Sequence, residues 1–174
     1  MPNGLIICGY PGVGKTAVGG WLNCIDLESS SFDRIYFSWV ETYVRVATDL
    51  ASQGYTVLTS THAEVIAKLK EAKKYADGKW DVVIFCPKKE MKDAWISRVN
   101  DRYLADKSFK NQRALMRVKE RFDSDINDLQ STGLMCFSPS NMNYNFVDDI
   151  LKIRKHLKIK SIHDLPWENY EINN

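Results

Sequence analysis

The segment from Gly9 to Thr16 reads GYPGVGKT and directly follows the short apolar run Leu5 to Cys8. Glycines at these spacings let the backbone adopt positive φ angles, which residues with side chains rarely reach. One continuous helix or strand across the segment is therefore excluded. The pattern predicts a buried strand, then a tight loop, then a helix, and Gly19 and Gly20 predict that this helix is short.

Four further short apolar runs divide the rest of the chain. They are Cys24 to Leu27, Thr56 to Ser60, Val82 to Cys86 and Leu134 to Phe137. Runs of this length are too short for helices, and their continuous apolarity is typical of strands covered on both faces. With helical patterns between them, they predict an α/β fold built on a parallel sheet of five strands.

Two helix starts are predicted where Ser38 precedes Glu41 and where Thr61 precedes Glu64. In this S/T-x-x-E spacing, each side chain bonds a free N–H group of the first turn. The first helix is expected over about residues 39–53, and the second is expected to end near residue 75.

Later in the chain, Pro87 is expected at the start of a helix, since its ring presets a helical φ angle. A long amphipathic helix is predicted from Asn111 to about Gln130. The stretch from Asp101 to Lys110 is polar and lacks periodicity, and it predicts a mobile loop between two helices.

Composition sets broad limits. A chain of 174 residues with 44% hydrophobic content predicts one domain. A net charge of +2 is too small to indicate whether the protein binds nucleic acid. The cysteines lack CxxC spacing and lie in apolar runs, so we expect reduced core thiols. Neither a signal peptide nor a membrane span is recognisable, which predicts a soluble cytoplasmic protein. The four cysteines are Cys8, Cys24, Cys86 and Cys136.

The loop also matches G-x-x-x-x-G-K-[ST], the pattern of a phosphate-binding P-loop. Its N–H groups are expected to surround a β-phosphate, Lys15 to bridge the β- and γ-phosphates, and the Thr16 hydroxyl to bind Mg²⁺. The alternative is a glycine-rich turn without a ligand. The predicted ATP-binding residues are Gly9, Pro11, Gly12, Val13, Gly14, Lys15, Thr16 and Ala17.

Asp26 ends the second apolar run, which we expect to lie beside the P-loop strand, at the sheet edge where α/β proteins bind ligands. A carboxylate there suits a general base for an attacking hydroxyl, a ligand of hydrated Mg²⁺, or a plain helix cap. Glu28 is a weaker candidate.

Arg98 and Arg102 are four residues apart and therefore share one helix face beside the predicted loop. Two guanidinium groups there suit the spread negative charge of a phosphoryl transition state. Arg113, Arg117 and Arg121 continue at the same spacing, either as a functional stripe or as a solvated face paired with nearby acids.

With these residues, the chain resembles the nucleoside-monophosphate-kinase group of P-loop kinases and small nucleotide kinases of bacteriophages. The resemblance rests on GYPGVGKT, Asp26 at a strand end, a helical insert and the late arginines. It implies a three-layer sandwich over residues 1–156, with an acceptor-binding insert at about 32–53 and a helical lid at about 98–113. Residues 157–174 would form a C-terminal extension.

Acceptor recognition is assigned, besides Asp26, to Arg34, Arg45 and His62, with Trp39 and Tyr43 among interleaved aromatic residues. These rings fit either a base-stacking pocket or ordinary core. The backbone of residues 138–143, after the last strand, is expected by position to hold the adenine.

The leading hypothesis is a kinase that transfers the γ-phosphoryl group of Mg-ATP to a nucleoside monophosphate or a related nucleotide. The first alternative is a hydroxyl acceptor on a small metabolite or in DNA, such as a phage 5-hydroxymethyluracil DNA kinase; basic residues between Lys152 and Lys160 favour DNA. The second is a non-catalytic ATP-binding module. Motor ATPases and GTPase switches are disfavoured because their paired acids and NKxD segment are missing.

Overall fold

The computed structural model describes residues 3–21, 23–32 and 38–159. Its centre is a parallel sheet of five strands in the order β2-β3-β1-β4-β5. The α/β class and the five predicted strands are confirmed. The strands are β1 (Gly4–Gly9), β2 (Cys24–Asp26), β3 (Thr56–Thr59), β4 (Trp80–Phe85) and β5 (Cys136–Phe137).

Six α-helices occur in the described part of the chain. They are α1 (Lys15–Val18), α2 (Trp39–Ser52), α3 (Ala63–Lys73), α4 (Lys92–Ala105), α5 (Phe109–Gln130) and α6 (Phe146–His156). Helix α1 has only four residues and is followed by Gly19, as the glycine pair predicted. The helix expected over residues 39–53 ends one residue earlier than predicted.

Every residue of the central strand β1 is buried, so helices cover both faces of the sheet. Its side chains Leu5, Ile6 and Ile7 are completely buried, as are Leu58 of β3 and Ile84 of β4. This continuous burial explains why the strands are apolar without alternation. Because the strands are parallel, the carboxyl ends of β1, β2 and β3 lie at the same edge of the sheet, and the site lies at this edge.

Three local predictions were wrong. The stretch 101–110 is mostly helical, because α4 continues to Ala105 and α5 begins at Phe109, which leaves a turn of three residues. The N-cap residue of α3 is His62, one residue after the predicted Thr61; Ser38 is the N-cap residue of α2 as predicted, but neither side chain makes the expected capping hydrogen bond. A 3₁₀ turn at Lys89–Met91 separates Pro87 from α4.

The turn between α4 and α5 is held by side chains. Asn111 donates from Nδ2 to the Asp106 carbonyl oxygen at 2.8 Å, and the Ser108 hydroxyl accepts from the Asn111 N–H at 3.3 Å. The two helices therefore pack as a hairpin, and the lid predicted for residues 98–113 falls on its tip. Lid closure stays a prediction.

The four cysteines are free, and burial raises the pKa of Cys8 to about 11 and of Cys86 to about 12, so these thiols are uncharged at neutral pH. Within the described ranges, no helix has both the length and the apolarity that crossing a membrane requires. Most of the predicted extension 157–174 lies outside the described residues.

Candidate active site

The P-loop joins β1 to α1 as a turn with two glycines at positive φ. Gly12 has φ 93° and Gly14, which caps α1, has φ 105°. A Cβ atom on Gly12 would lie 2.8 Å from Val99 Cγ2, so only glycine fits there. The N–H groups of Gly12 and Gly14 donate no hydrogen bond to any described residue. These free donors in a concave turn suit an oxyanion.

Three side chains bond the carbonyl groups of the same loop. Trp95 Nε1 donates to Pro11 O at 2.9 Å, Arg98 Nε to Gly12 O at 2.9 Å, and the Tyr144 hydroxyl to Val13 O at 2.6 Å. The Trp95 and Tyr144 rings are stacked 6.2 Å apart, and the Arg98 guanidinium lies over both. These three hydrogen bonds hold the loop in its concave shape without a ligand.

Arg98 reaches the P-loop, a contact that its spacing with Arg102 did not predict, and its Nε donates to a loop carbonyl. Its catalytic contact to a phosphoryl group stays a prediction. Arg102, one turn further along α4, lines the cleft described below together with Lys15 and Thr16. The two arginines also line a larger cavity of about 610 Å³ on the α4 side of the loop, with Gly14 and Ala17.

Lys15 is the first residue of α1, and its Nζ donates to Gly9 O at 2.6 Å. Burial lowers the pKa of Lys15 from 10.5 to about 8, although the nearby carboxylates Asp26 and Glu28 favour its charged form. Its ammonium group thus lies in a poorly hydrated site where a bound phosphate would stabilise the charge.

We expect the affinity for Mg-ATP to fall as the pH rises above about 8, because Lys15 of the free protein then loses its proton. Bound phosphates keep the Lys15 ammonium charged. Above this pH, binding of Mg-ATP therefore adds a proton to Lys15; below it, Lys15 is already protonated and takes up none. Calorimetry in two buffers of different ionisation enthalpy measures this uptake. In Lys15→Ala, residual binding should take up no proton at this pH, whereas the exposed-site control Lys119→Ala should retain the uptake. Equal proton uptake in wild type and Lys15→Ala would contradict this assignment.

Asp26 ends β2 and lies at the same edge. The prediction that its strand adjoins the P-loop strand was wrong, since β3 lies between β1 and β2. Asp26 nevertheless lines the same space as Lys15 and Thr16 of the P-loop. Its Oδ1 is buried and accepts no hydrogen bond from the described residues. An unsatisfied carboxylate oxygen beside the P-loop favours a ligand role over a helix cap.

A cleft of about 140 Å³ brings these groups together. One wall is the P-loop with Lys15 and Thr16, and the other walls carry polar side chains from β2, β3, α4 and α5. Those side chains include Asp26, Glu28, Ser60, His62, Arg102, Lys110 and Arg117.

Glu28 and Lys110 form an ion pair across this cleft, between the end of β2 and the start of α5. Burial alone would raise the pKa of Glu28, but the Lys110 hydrogen bond and the charges of Lys110 and Lys15 lower it below its usual value. The pair links the predicted lid tip to the core of the site. No spacing rule could have found Lys110, because its partner is 82 residues away.

The residues present fit a magnesium ion. Mg²⁺ commonly keeps several waters and binds one or two protein oxygens together with substrate phosphates. The hydroxyl-bearing Thr16 and the carboxylate of Asp26, with its unsatisfied Oδ1, line one cleft beside the P-loop. When bound there with a nucleotide, the ion would neutralise charge on the phosphate oxygens.

The predicted acceptor residues are only partly brought together. His62 lines the cleft, its Nδ1 is 2.8 Å from Ser60 Oγ, and its ring meets Trp39 edge-on at 5.8 Å. Arg45 is exposed on α2 and is not among the described residues that line the cleft. Arg34 lies outside the described residues.

The aromatic residues around α2 are largely core. Tyr43 is completely buried, donates to Leu27 O at 2.7 Å, and packs edge-to-face on Phe32 at 5.0 Å. Trp39 is half-buried and also packs against Tyr43. The core interpretation therefore holds for Tyr43, whereas Trp39, through its contact with His62, remains close to the cleft.

Arg117 was predicted only as one of a stripe of arginines. Its Nε donates to Asp125 Oδ2 at 2.8 Å, and Arg121 Nε lies 3.5 Å from Asp125 Oδ1. Asp125, which both arginines contact, is buried, whereas the nearby Asp123 pairs with Lys92. Arg113 instead lies over the Phe109 ring, 5.6 Å from its centroid. Arg117 is thus held by a buried acid. Arg121 pairs with the same acid from an exposed position, and Arg113 lies at the surface.

The basic residues that favoured DNA are partly used inside the protein. Arg154 is buried and donates to Thr56 Oγ1 at 2.5 Å, and Lys152 lies 3.7 Å from Asp149. Lys155 and Lys158 are exposed, and Lys160 lies outside the described residues. The support that this segment gives to a DNA acceptor is therefore weaker than its composition suggested.

No protein-family profile and no curated protein sequence matches the chain. Among solved structures, the fold is similar to that of a gluconokinase from Sinorhizobium meliloti 1021, with a TM-score of 0.50. The match has 11% sequence identity and covers 90% of this chain and 96% of the gluconokinase chain. At this identity the likeness concerns the fold alone. The chain has the α/β fold of P-loop kinases.

Proposed function

We propose that this protein is an ATP-dependent phosphotransferase that moves the γ-phosphoryl group of Mg-ATP to a nucleoside monophosphate or a closely related nucleotide. The observation that carries the proposal is the cleft in which the free N–H donors of the P-loop, Lys15, Asp26 and Arg102 meet. A ligand-free glycine turn would not require a partly buried lysine and a carboxylate with an unsatisfied oxygen beside it.

In this reaction an acceptor oxygen attacks the γ-phosphorus while the bond to the β,γ-bridging oxygen breaks, and ADP leaves with the electron pair. Gly12 and Gly14 hold the phosphates through their N–H groups, and Lys15 adds a fixed charge between the β- and γ-positions. Arg102 lines the opposite wall, where it suits the charge on the transferring group.

A nucleotide acceptor is favoured by the charges of the cleft. Its lining contains four basic residues against the two acids Asp26 and Glu28. The basic residues are Lys15, Arg102, Lys110 and Arg117. An acceptor that carries its own phosphate compensates this excess better than a neutral one.

The second candidate is a hydroxyl acceptor, on a small metabolite or in DNA. The observation that favours it is the buried Oδ1 of Asp26, which accepts no hydrogen bond from the described residues. A carboxylate oxygen in that state can take the proton of an attacking hydroxyl, whereas a phosphate acceptor needs no base.

The deciding experiment measures ADP formation from Mg-ATP with ribo- and deoxynucleoside monophosphates, gluconate, unmodified DNA and hydroxymethyl-modified DNA. We expect turnover with at least one monophosphate. Turnover only with gluconate or DNA would replace the proposal by the second candidate.

Equilibrium binding of a fluorescent ATP analogue is measured on the same samples. Binding without ADP formation from any acceptor would indicate the non-catalytic ATP-binding module. If the analogue does not bind, the P-loop assignment itself is wrong.

A further inference from the structure

A groove of about 510 Å³ runs between α3 and α5, outside the cleft described above. Its volume is in the range of small-molecule sites. Apolar side chains such as Ile66 and Leu129 form part of its lining, and charged groups of both signs complete it. The charged residues are Glu64, Lys70, Arg117, Arg121, Asp125 and Asp128.

The groove adjoins the P-loop cleft. Thr61, His62 and Arg117 line both spaces, so a ligand in the groove lies next to the cleft at this point. At its other end, Lys70 of α3 donates to the Thr132 carbonyl oxygen after α5. The groove therefore has one end toward the P-loop cleft and one end spanned by the hydrogen bond from Lys70 to Thr132.

Arg117 stands at the junction and is held in place. Its Nε donates to buried Asp125, its Nη2 lies 3.4 Å from Thr61 Oγ1, and its guanidinium lies over the ring of Tyr10. Tyr10 belongs to the P-loop, and its hydroxyl donates to Asp125 at 3.3 Å. Nη1 of Arg117 makes no hydrogen bond with the described residues. Asp125 thus fixes both Arg117 and a residue of the P-loop.

We propose that the nucleoside part of the acceptor lies in the groove between α3 and α5, with its phosphate on Arg117 and its reacting oxygen in the P-loop cleft. This inference rests on the proposed phosphotransferase function. The base packs on Ile66 and Leu129, and the carboxylates Glu64 and Asp128 accept hydrogen bonds from its amino group or from sugar hydroxyls.

This assignment differs from the acceptor site expected over residues 32–53. In that insert, Tyr43 is completely buried and Arg45 is exposed, and neither lines the groove or the cleft in the described structure. Asp125, in turn, is a positioning residue, since it acts on the acceptor through Arg117.

The first test fills the groove. Ala67 is exposed and lines it, so Ala67→Trp places a large ring in the groove without entering the core. We expect KM for the acceptor to rise about tenfold or more while the Kd of Mg-ATP stays the same. Ala94→Trp, at an exposed position on α4, is the matched control and should leave both constants unchanged. An unchanged acceptor KM in Ala67→Trp overturns the proposal.

The second test concerns Arg117 and Asp125. We expect Arg117→Ala and Asp125→Asn each to raise the acceptor KM about tenfold, and the double variant to lose little more than either single variant. Arg117→Lys should restore less than half of the loss, because a lysine ammonium cannot bond Asp125 on one side and the acceptor phosphate on the other as a guanidinium does. Arg113→Ala, on the same helix but outside the groove, is the control. Additive effects of the two single variants would remove Asp125 from the positioning role.

The groove can be tested even if the proposed phosphotransferase function is wrong. If wild type forms no ADP with any acceptor, calorimetric binding of the nucleoside monophosphates to wild type and Ala67→Trp still decides on the groove. Binding that is lost in Ala67→Trp supports it, and binding that is absent from wild type or equal in both proteins sinks it.

Discussion

Replacement of Lys15 by alanine is expected to lower kcat for phosphoryl transfer by about 10²–10³-fold, the usual loss when one preorganised donor to a developing charge is removed. The ammonium lies in a poorly hydrated site, with its pKa lowered to about 8. One of its N–H donors bonds Gly9 O, and the others are available to phosphate. Initial rates of ADP formation at saturating Mg-ATP, followed at pH 7, measure the effect.

The fold should survive this change. Because burial disfavours the charged lysine, removing it relieves a cost in the nucleotide-free protein at neutral pH. We therefore expect thermal unfolding of Lys15→Ala at or slightly above the wild-type temperature. Lys119→Ala, an exposed lysine on α5, controls for the loss of a positive charge. A Lys15→Ala protein that turns over as fast as the control would exclude the P-loop as the site of transfer.

The sequence was most informative where one physical requirement dominates. Strand β1 could be predicted because its residues are buried on both faces, so apolarity alone marks it. The P-loop could be predicted because Gly12 and Gly14 must adopt positive φ angles. Helix α1 was expected to be short for the same local reason, its following glycines. None of these features depends on a distant partner.

The tip of the α4–α5 hairpin was mispredicted because its helical residues are mostly exposed and show no apolar stripe. They are ordered by Asn111, whose side chain bonds Asp106 across the turn. Helix α6 did carry a signal that was not used, since Phe146, Ile150 and Ile153 are buried at helical spacing after the cap residue Asn145.

The side chains that shape the site come from distant parts of the chain. Tyr144 bonds Val13 across 131 positions, and Arg117 reaches Thr61 across 56. Spacing rules describe neighbours on one helix or strand, so they found Arg98 and Arg102 as a pair but could not show that Arg98 holds a P-loop carbonyl. For the same reason Asp26 was recognised by its strand end, although β3 separates that strand from β1.

Asp26→Asn is expected to separate the two candidate acceptors. With a hydroxyl acceptor, kcat should fall by about 10²–10⁴-fold, the range of general acid–base catalysis, because the amide cannot take the proton. The substitution keeps the size of the side chain, so the neighbouring Gly19 backbone, which already lies close to Asp26 Cβ, is not disturbed. With a phosphate acceptor, the proton-transfer loss disappears, and the variant should only need a higher Mg²⁺ concentration to reach full kcat.

The measurement is kcat as a function of pH and of Mg²⁺ concentration, with the acceptor that supports ADP formation in wild type. Asp49→Asn, at an exposed aspartate on α2, controls for the loss of a negative charge. A loss of kcat that added Mg²⁺ restores would assign Asp26 to the metal and favour the nucleotide acceptor. A loss that persists at every Mg²⁺ concentration would make Asp26 the base, and the groove between α3 and α5 would then hold a substrate that presents a hydroxyl to it.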